Sequence, residues 1–445
     1  MNTKDLLNKS SLWVTLLIMV AAFYACNDND QAKNMKAGVT EYSPVTGGRS
    51  TLLTLNGYNF GTDINRVKVT INGKEALVKS VSNEIITAEV QKGMSSGLVR
   101  IILGERPDAQ VLIYDTEFTY ISNQLVSTFL GGKEEGETDG ELSVATLSKP
   151  RYLIWGKDNA LYIVEDGNAE INDMACIRRV KDNRLTTLLK ASDSELVQRI
   201  RAIDFSLDGN TMYIVNDNDA RGTMGFGTMT KNGEEYDNLI SLSEQSGVTS
   251  VKVHPISGTV FMGYHSGSWI YKYDENTGFA SMFQLPDDKG GIASKGNINS
   301  IVFDESGTTV YIVSRKNHVI YKAKYDLVTG NFSDVKLFAG SFGIKGYADG
   351  MGNDAKFSDP CQADIDQEGN LYVADRGNHC IRVITPEGDV STYAGVYNKA
   401  GMVDGIASQA EFNNPEGLQF GPDDALYVAD YSNYAIRKIE ESSGQ

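Results

Sequence analysis

Short runs of β-branched and aromatic residues, separated by glycine or asparagine, recur from residue 38 almost to the C-terminus. Such runs predict strands joined by tight turns. Residues 38–120 contain about seven of them, the strand number of an immunoglobulin-like sandwich. Asn72-Gly73 within this segment is typical of a two-residue hairpin turn, because both residue types tolerate a left-handed backbone. The pattern predicts an all-β chain that begins with a small sandwich.

The remainder of the chain, residues 125–445, is built from repeats. Three segments share a glycine, an Asp-Gly pair, an alanine, a proline and an apolar strand at the same spacing; they begin at Gly136, Gly346 and Gly401. Three more degenerate units lie between the first and second of these, centred on residues 212–215, 260–263 and 310–313. Six units of about 52 residues each fit the four-stranded blades of a β-propeller, which need roughly 40–50 residues.

The last repeat is short of one strand. Its pattern reaches only a third strand, at residues 435–440. The missing pattern occurs at the other end of the domain, where residues 126–131 (VSTFLG) resemble residues 390–395 (VSTYAG), the fourth strand of the fifth repeat. We therefore expect the first strand of the domain to complete the last blade, because this closure removes an unpaired sheet edge.

Two known families resemble these segments. Residues 53–61 (LTLNGYNFG) and 69–76 (VTINGKEA) resemble the IPT/TIG family, and the resemblance extends over nearly all of residues 38–121. Residues 370–382 (NLYVADRGNHCIR) closely resemble the NHL repeat, strongly in repeats one, five and six and weakly in two and three. The resemblance implies an N-terminal immunoglobulin-like (IPT/TIG) sandwich followed by a six-bladed NHL-type β-propeller at residues 125–445, with N-terminal strand closure.

The N-terminus predicts export and lipidation. An apolar run at residues 12–25 follows two lysines and is too short for a membrane-spanning helix, as in a signal peptide. Residues 23–26 (FYAC) resemble a lipobox, which implies lipidation of Cys26; an ordinary secretion signal with an incidental cysteine is the alternative. We expect a lipoprotein signal peptide at 1–25 and a lipidated tether at 26–37. The acidic tether resembles the export signal of surface lipoproteins in Gram-negative glycan foragers, which implies a surface-exposed outer-membrane lipoprotein.

Composition narrows the partners. The chain has 41 Lys and Arg against 58 Asp and Glu, a net charge of −17, which argues against nucleic acid as a partner. Its four histidines argue against a multi-histidine metal centre. No metal site or cofactor is predicted; Ca²⁺ stays open as an alternative that no motif supports. Walker loops, G-x-S-x-G elbows and H-E-x-x-H pairs do not occur. Many carboxylates could form a glycosidase-type pair, and none stands out.

The repeats also predict where a ligand would meet the propeller. With the strands of a blade labelled a to d, the b–c and d–a loops emerge on one face around the central channel, here called the mouth. The alignment places two residues of each blade there, at the end of strand b. Aromatic faces and paired polar groups suit a sugar. The ligand-binding candidates are Asp166, Asn216, Asp217, Tyr264, His265, Trp269, Arg315, Arg376 and Tyr431. Three structural ion pairs are expected within blades: Glu165 with Arg178, Asp375 with Arg382, and Asp430 with Arg437.

The combination of a lipobox, an IPT/TIG domain and an NHL propeller resembles surface lipoproteins associated with polysaccharide uptake. This resemblance favours a non-catalytic lipoprotein, held to the membrane by its lipid, that binds a glycan at the mouth. An outer-membrane component of a glycan importer is the other expected partner. A hydrolase or lyase acting on a carbohydrate-type substrate is one alternative, and a protein-interaction scaffold is another. The sequence leaves these open, because a fold alone does not establish activity.

Overall fold

The computed structural model describes residues 36–105, 107–121, 123–166, 176–217, 224–245, 247–265, 267–274, 278–293 and 296–442. The expected signal peptide, Cys26 and most of the expected tether lie outside these ranges. The chain divides into two compact units, of which the second is Asn123–Ser442. Within the ranges given, we find no helix with the length and apolar character that a membrane crossing requires.

The first unit is a β-sandwich. In chain order its strands β1 to β8 are Gly38–Ser43, Thr46–Gly47, Leu52–Tyr58, Val67–Ile71, Lys74–Val81, Ile85–Glu89, Gly97–Leu103 and Gln110–Tyr120, with a 3₁₀ turn at Ile64–Arg66. The pairing order is β1-β3-β6-β5-β4-β7-β8-β2, in which β5 passes from one sheet to the other. Leu53 and Leu55 are fully buried on one side of β3. Asn72 and Gly73 have φ values of 46° and 86°, as the expected hairpin turn requires.

The second unit is a six-bladed β-propeller, which confirms the predicted fold class. Strands a to d are Pro150–Trp155, Leu161–Glu165, Cys176–Lys181 and Arg184–Lys190 in blade 1; Ile200–Phe205, Thr211–Asn216, Phe226–Asn232 and Glu235–Ser243 in blade 2; Val248–Val253, Val260–Tyr264, Trp269–Asp274 and Gly278–Gln284 in blade 3; Ile298–Phe303, Thr309–Ser314, Val319–Tyr325 and Phe332–Ala339 in blade 4; Pro360–Ile365, Leu371–Asp375, Cys380–Ile384 and Asp389–Ala394 in blade 5; and Pro415–Phe420, Leu426–Asp430, Ala435–Glu441 and Gln124–Gly131 in blade 6.

The first strand of this unit, Gln124–Gly131, closes the ring as strand d of blade 6. It pairs antiparallel with strand c of that blade, with Leu130 opposite Ile436 and Val126 opposite Ile439. Val126 and Leu130 are 2% and 1% exposed. A slip of one residue would expose both side chains, so their burial specifies the register. The predicted closure is confirmed.

The Asp-Gly pairs of the three strong repeats build a short fifth strand at the outer edge of their blades. These strands are Gly140–Glu141, Gly350–Met351 and Gly405–Ile406 in blades 1, 5 and 6. In blade 5, Asp349 accepts hydrogen bonds from the Arg382 guanidinium and from the Thr392 hydroxyl. Gly350, at φ 134°, lets the chain continue into the edge pairing. The repeated Asp-Gly pair therefore fastens the d–a loop to the blade.

The a strands of neighbouring blades contact one another around the channel. Polar side chains bond neighbouring a strands: Asp364 of blade 5 accepts from the Phe420 backbone N–H of blade 6 at 2.9 Å, and Asp204 of blade 2 accepts from the Val253 N–H of blade 3 at 2.8 Å. In all six blades the register between strands a and b shifts at the second residue of strand a. Such a bulge bends the strand and redirects a side chain.

Candidate functional site

A cavity of about 510 Å³ occupies the mouth of the channel, and all six blades line it. The residue directly after strand b enters the lining in every blade: Asp166, Asp217, His265, Arg315, Arg376 and Tyr431. In blades 4 to 6 this residue opens a 3₁₀ turn; the turns are Arg315–Asn317, Arg376–Asn378 and Tyr431–Asn433. Each turn redirects the chain at the end of strand b toward the mouth. Because the six blades are arranged in a ring, residues that lie far apart in the sequence meet there.

Three sequence candidates lie outside this lining, so the expectation needs correction there. Asn216 ends strand b of blade 2, is fully buried, and accepts hydrogen bonds from two backbone N–H groups at 3.0 and 2.6 Å. Tyr264 ends strand b of blade 3, is 5% exposed and packs against Tyr271. Trp269 begins strand c beside the same tyrosine. The last residue of strand b points into the blade because side chains alternate along a strand.

The structure contains the three ion pairs expected at the end of strand b. The nitrogen–oxygen distances are 3.2 Å for Arg178–Glu165, 3.0 Å for Arg382–Asp375 and 2.9 Å for Arg437–Asp430, and all six side chains are 0% exposed. Burial raises the pKa of the three carboxyl groups, and the arginines oppose that shift. Each arginine also binds the aspartate of its Asp-Gly pair. These groups hold the blades together and are closed to a ligand.

A second ring of residues lines the mouth, and the sequence pattern does not predict it. It consists of the second residue of strand a in five blades: Arg151, Arg201, Thr249, Asn299 and Glu416. The bulge at this position turns the side chain toward the mouth. In blade 5 the position is the buried Cys361. A sequence signal exists, since the residue directly follows the proline or apolar residue that begins each strand a.

The described lining is cationic although the chain is acidic. It contains six basic side chains, Arg151, Arg199, Arg201, Arg315, Lys316 and Arg376, against three carboxylates, Asp166, Asp217 and Glu416. Asp166 accepts from Arg151 Nη1 at 2.7 Å, from Arg201 Nη1 at 3.0 Å and from the Tyr431 hydroxyl at 3.2 Å. Burial opposes ionisation of Asp166, but the two arginines outweigh it and lower its pKa to about 2. Burial and the nearby Arg151 lower the pKa of Arg201 to about 10, which leaves it charged at neutral pH.

The side of the mouth formed by blades 4 to 6 has open hydrogen-bond donors. Arg376 Nε donates to Glu416 Oε1 at 2.6 Å. Arg315 Nη2 approaches the same oxygen at 3.9 Å, and its guanidinium makes no hydrogen bond to any described residue. The Asn297 amide nitrogen lies 3.3 Å from His265 Nδ1, and its buried oxygen has no partner among the described residues. This half of the cavity can therefore donate to a ligand through Arg315 and Arg376, and the Asn297 oxygen can accept from one.

The cavity as a whole offers guanidinium and amide donors, carboxylate acceptors, and the rings of His265 and Tyr431. This set suits a polar ligand with both donor and acceptor groups. Within the described ranges, no three His, Cys, Asp or Glu side chains are grouped as a metal site.

Known proteins are similar to each part of the chain. Residues 38–120 match the IPT/TIG domain family, and residues 292–397 match the SMP-30/gluconolactonase/LRE-like region. The NHL repeat-containing protein 2 of Bos taurus is 34% identical over 172 residues, which is 38% of this chain and 22% of that protein. The similar segment thus spans about a fifth of the length of this curated relative.

Solved structures from two Bacteroides species are similar over most of the chain. An auxiliary nutrient binding protein from Bacteroides thetaiotaomicron is 26% identical, with a TM-score of 0.64, covering 92% of this chain and 98% of that one. An auxiliary nutrient binding protein from Bacteroides ovatus is 25% identical, with a TM-score of 0.64, covering 92% and 99%. Domain matches and fold agree that the chain combines an IPT/TIG domain with a six-bladed β-propeller of the NHL and SMP-30 type.

Proposed function

We propose that this protein is a cell-surface lipoprotein that binds a glycan at the propeller mouth without changing it chemically. The observation that carries the proposal is the cavity lined by all six blades. Its volume of about 510 Å³ lies within the roughly 300–1,000 Å³ typical of small-molecule sites. The similarity to auxiliary nutrient binding proteins, which extends over 92% of the chain, supports a binding role.

The chemistry of the mouth suits a ligand rich in hydroxyl groups. A sugar hydroxyl donates one hydrogen bond and accepts others, so a sugar site needs both kinds of partner at close spacing. Arginine and asparagine side chains donate in this cavity, and Asp166, Asp217 and Glu416 accept. Tyr431 adds an aromatic ring against which the apolar face of a pyranose can stack.

The N-terminal sequence supports the location in this proposal. A lipid on Cys26 would attach the chain to the outer membrane, and the IPT/TIG domain would act as a spacer between the membrane and the propeller. A component of an outer-membrane glycan importer would then receive the bound ligand. In this arrangement the protein would bind the glycan at the first step of uptake and would not change it chemically.

Affinity electrophoresis of the mature chain, residues 26–445, in gels that contain different polysaccharides tests the proposal. We expect at least one glycan to retard the protein. Asn299→Trp puts a large ring into the cavity and should abolish the retardation. Gln367→Trp, at an exposed position in the a–b turn of blade 5 and away from the mouth, is the matched control and should not abolish it. Retardation by no glycan, or equal retardation of both variants, would contradict the proposal.

A further inference from the structure

We infer that the ligand group held at the centre of the mouth is an anion, a carboxylate or a sulfate ester of an acidic glycan. The inference rests on the proposed function and names the class of glycan. It starts from the described lining, in which six basic side chains face three carboxylates. A neutral sugar does not require an excess of positive charge in its site, because its hydroxyl groups are uncharged.

Four of the six cations are arginines that are largely withdrawn from water. The side chains are 9% exposed for Arg151, 9% for Arg201, 17% for Arg315 and 26% for Arg376. A buried cation is unfavourable unless a counter-charge accompanies it. The three carboxylates of the lining can balance three of these arginines. The lining itself holds no counter-ion for the remaining positive charge, and outside it the carboxylate of Asp359 interacts electrostatically with Arg315 while also pairing with Lys345. A bound anion would supply the missing counter-charge.

Among these four arginines, Arg315 makes the longest contact with a carboxylate. Its nearest carboxylate oxygen, Glu416 Oε1 at 3.9 Å, already accepts the hydrogen bond from Arg376 Nε. Arg376 donates only through Nε, so its two terminal nitrogens also have no hydrogen-bond partner among the described residues. Two adjacent guanidinium groups with open N–H donors match the paired oxygens of a carboxylate or sulfate, which arginine binds in a bidentate manner.

Outside the mouth the charge of the protein repels anionic polymers, so an anionic ligand is expected to bind selectively at the mouth. The other end of the channel has a cavity of about 1050 Å³ lined by five carboxylates and two lysines: Asp204, Asp304, Glu305, Asp366, Glu368, Lys157 and Lys252. The whole chain carries a net charge of −17. An acidic glycan therefore has no general attraction to the protein surface and would bind where cations are concentrated.

Matched pairs of polysaccharides test the inference. Polygalacturonate and its fully methyl-esterified form differ in carboxylate charge, and dextran sulfate and dextran differ in sulfate esters. Isothermal titration calorimetry with the mature chain gives the affinity for each. We expect the anionic member of one pair to bind about tenfold or more tightly than its neutral partner. The pair that shows the difference distinguishes a carboxylate ligand from a sulfate ligand.

Three variants assign the effect to Arg315. Arg315→Gln should lower the ratio of the anionic to the neutral affinity about tenfold, because the neutral polysaccharide loses a hydrogen-bond donor and the anionic one loses a counter-charge as well. Arg315→Lys should recover only part of the affinity, because lysine restores the positive charge but lacks the planar guanidinium group that donates two parallel hydrogen bonds. Lys157→Gln removes an exposed cation at the other end of the channel and should have no effect. Equal thermal midpoints for the variants show that the fold is intact.

The outcomes separate this inference from the proposed function. If a neutral polysaccharide binds as tightly as its anionic partner, and Asn299→Trp abolishes both, the anion inference is wrong and the proposed function stands. Anionic binding that persists unchanged in the double variant Arg315→Gln/Arg376→Gln also overturns the inference. If none of these four polysaccharides binds but an uncharged glycan retards the protein in the gel panel, the anion inference is wrong and the proposed function stands. If no glycan in either experiment binds, the proposed function itself fails.

Discussion

Replacement of Arg382 in blade 5 tests what holds a blade together. Its guanidinium is 0% exposed and donates to Asp375 at 3.0 Å and to the carbonyls of Lys356 and Ala348 at 3.1 and 2.9 Å. Arg382→Met keeps most of the side-chain volume, but Asp375 is left as a buried carboxylate without its counter-charge. Loss of one partner of a buried ion pair lowers the free energy of unfolding by about 3–5 kcal/mol.

The contacts around the pair place the expected loss at the lower end, about 3 kcal/mol. Asp375 keeps hydrogen bonds from the Ser358 backbone N–H and the Asn378 amide, both at 2.7 Å. The two carbonyls that lose the arginine still accept backbone hydrogen bonds from each other's residues, at 3.4 and 3.1 Å. The loss is therefore mainly electrostatic. Removing the carboxylate charge as well, in Arg382→Met/Asp375→Asn, should recover about 1–2 kcal/mol.

Urea denaturation followed by tryptophan fluorescence measures these differences. In the mature chain the two tryptophans, Trp155 and Trp269, both lie in the propeller, so the signal reports on that unit alone. Blade 4 provides the control, because Tyr321 stands at the position of Arg382 and donates to a carbonyl at 2.7 Å. Tyr321→Phe should cost only about 1 kcal/mol. A loss below about 1 kcal/mol for Arg382→Met, or no recovery in the double variant, would refute this account.

Three further predictions concern the closure, the pH dependence and the turn after strand b. Val126→Asp puts a charge at a 2% exposed position of the closing strand and should lower the free energy of unfolding by more than about 3 kcal/mol. Leu125→Asp, at a 37% exposed position, is the control and should lower it by less than about 1 kcal/mol. Similar losses for the two variants in the urea assay would argue against the closure. The lowered pKa of Asp166, about 2 against an ordinary value of 3.8, means that its ionised form stabilises the fold above the ordinary pKa. This contribution, about 2 kcal/mol, is lost as the pH falls from about 4 through about 2. The thermal midpoint should therefore fall more steeply with acid in the unmodified protein than in Asp166→Asn, and equal slopes would contradict the assignment. Asn378→Ala removes hydrogen bonds of 2.7 Å to Asp375 and 2.8 Å to the Gly346 carbonyl. We therefore expect the free energy of unfolding in the urea assay to fall by about 2 kcal/mol. An unchanged urea midpoint would show that the turn does not depend on these hydrogen bonds.

Repetition in the sequence was sufficient to predict the ring. Residues 126–131 carry the same pattern as strand d of blade 5, and a closed propeller leaves one place for such a strand. The ion pair between Asp375 and Arg382 can also be predicted from the sequence, because the two residues lie on the adjacent b and c strands of one hairpin. Hydrogen bonding between neighbouring strands is local, so a sequence pattern specifies it directly.

The alignment alone did not settle which of two successive residues faces the cavity. Asn216 and Asp217 were both nominated, and only Asp217 lines the mouth. Neighbouring residues on a strand point to opposite sides, so one position decides between a buried blade contact and a ligand contact. Sequence periodicity identifies the alternation, but the turn that ends strand b decides which residue emerges.

The sequence by itself determined the two domains, the number of blades, the closing strand and the ion pairs within blades. Only the tertiary structure decided that Arg151, Arg201 and Glu416 share the cavity, and that a chain with a net charge of −17 has a cationic mouth. A repeat pattern records local hydrogen bonding and which side of a strand is apolar. A bulge decides which side chain turns toward the channel, and ring closure decides which distant charges become neighbours.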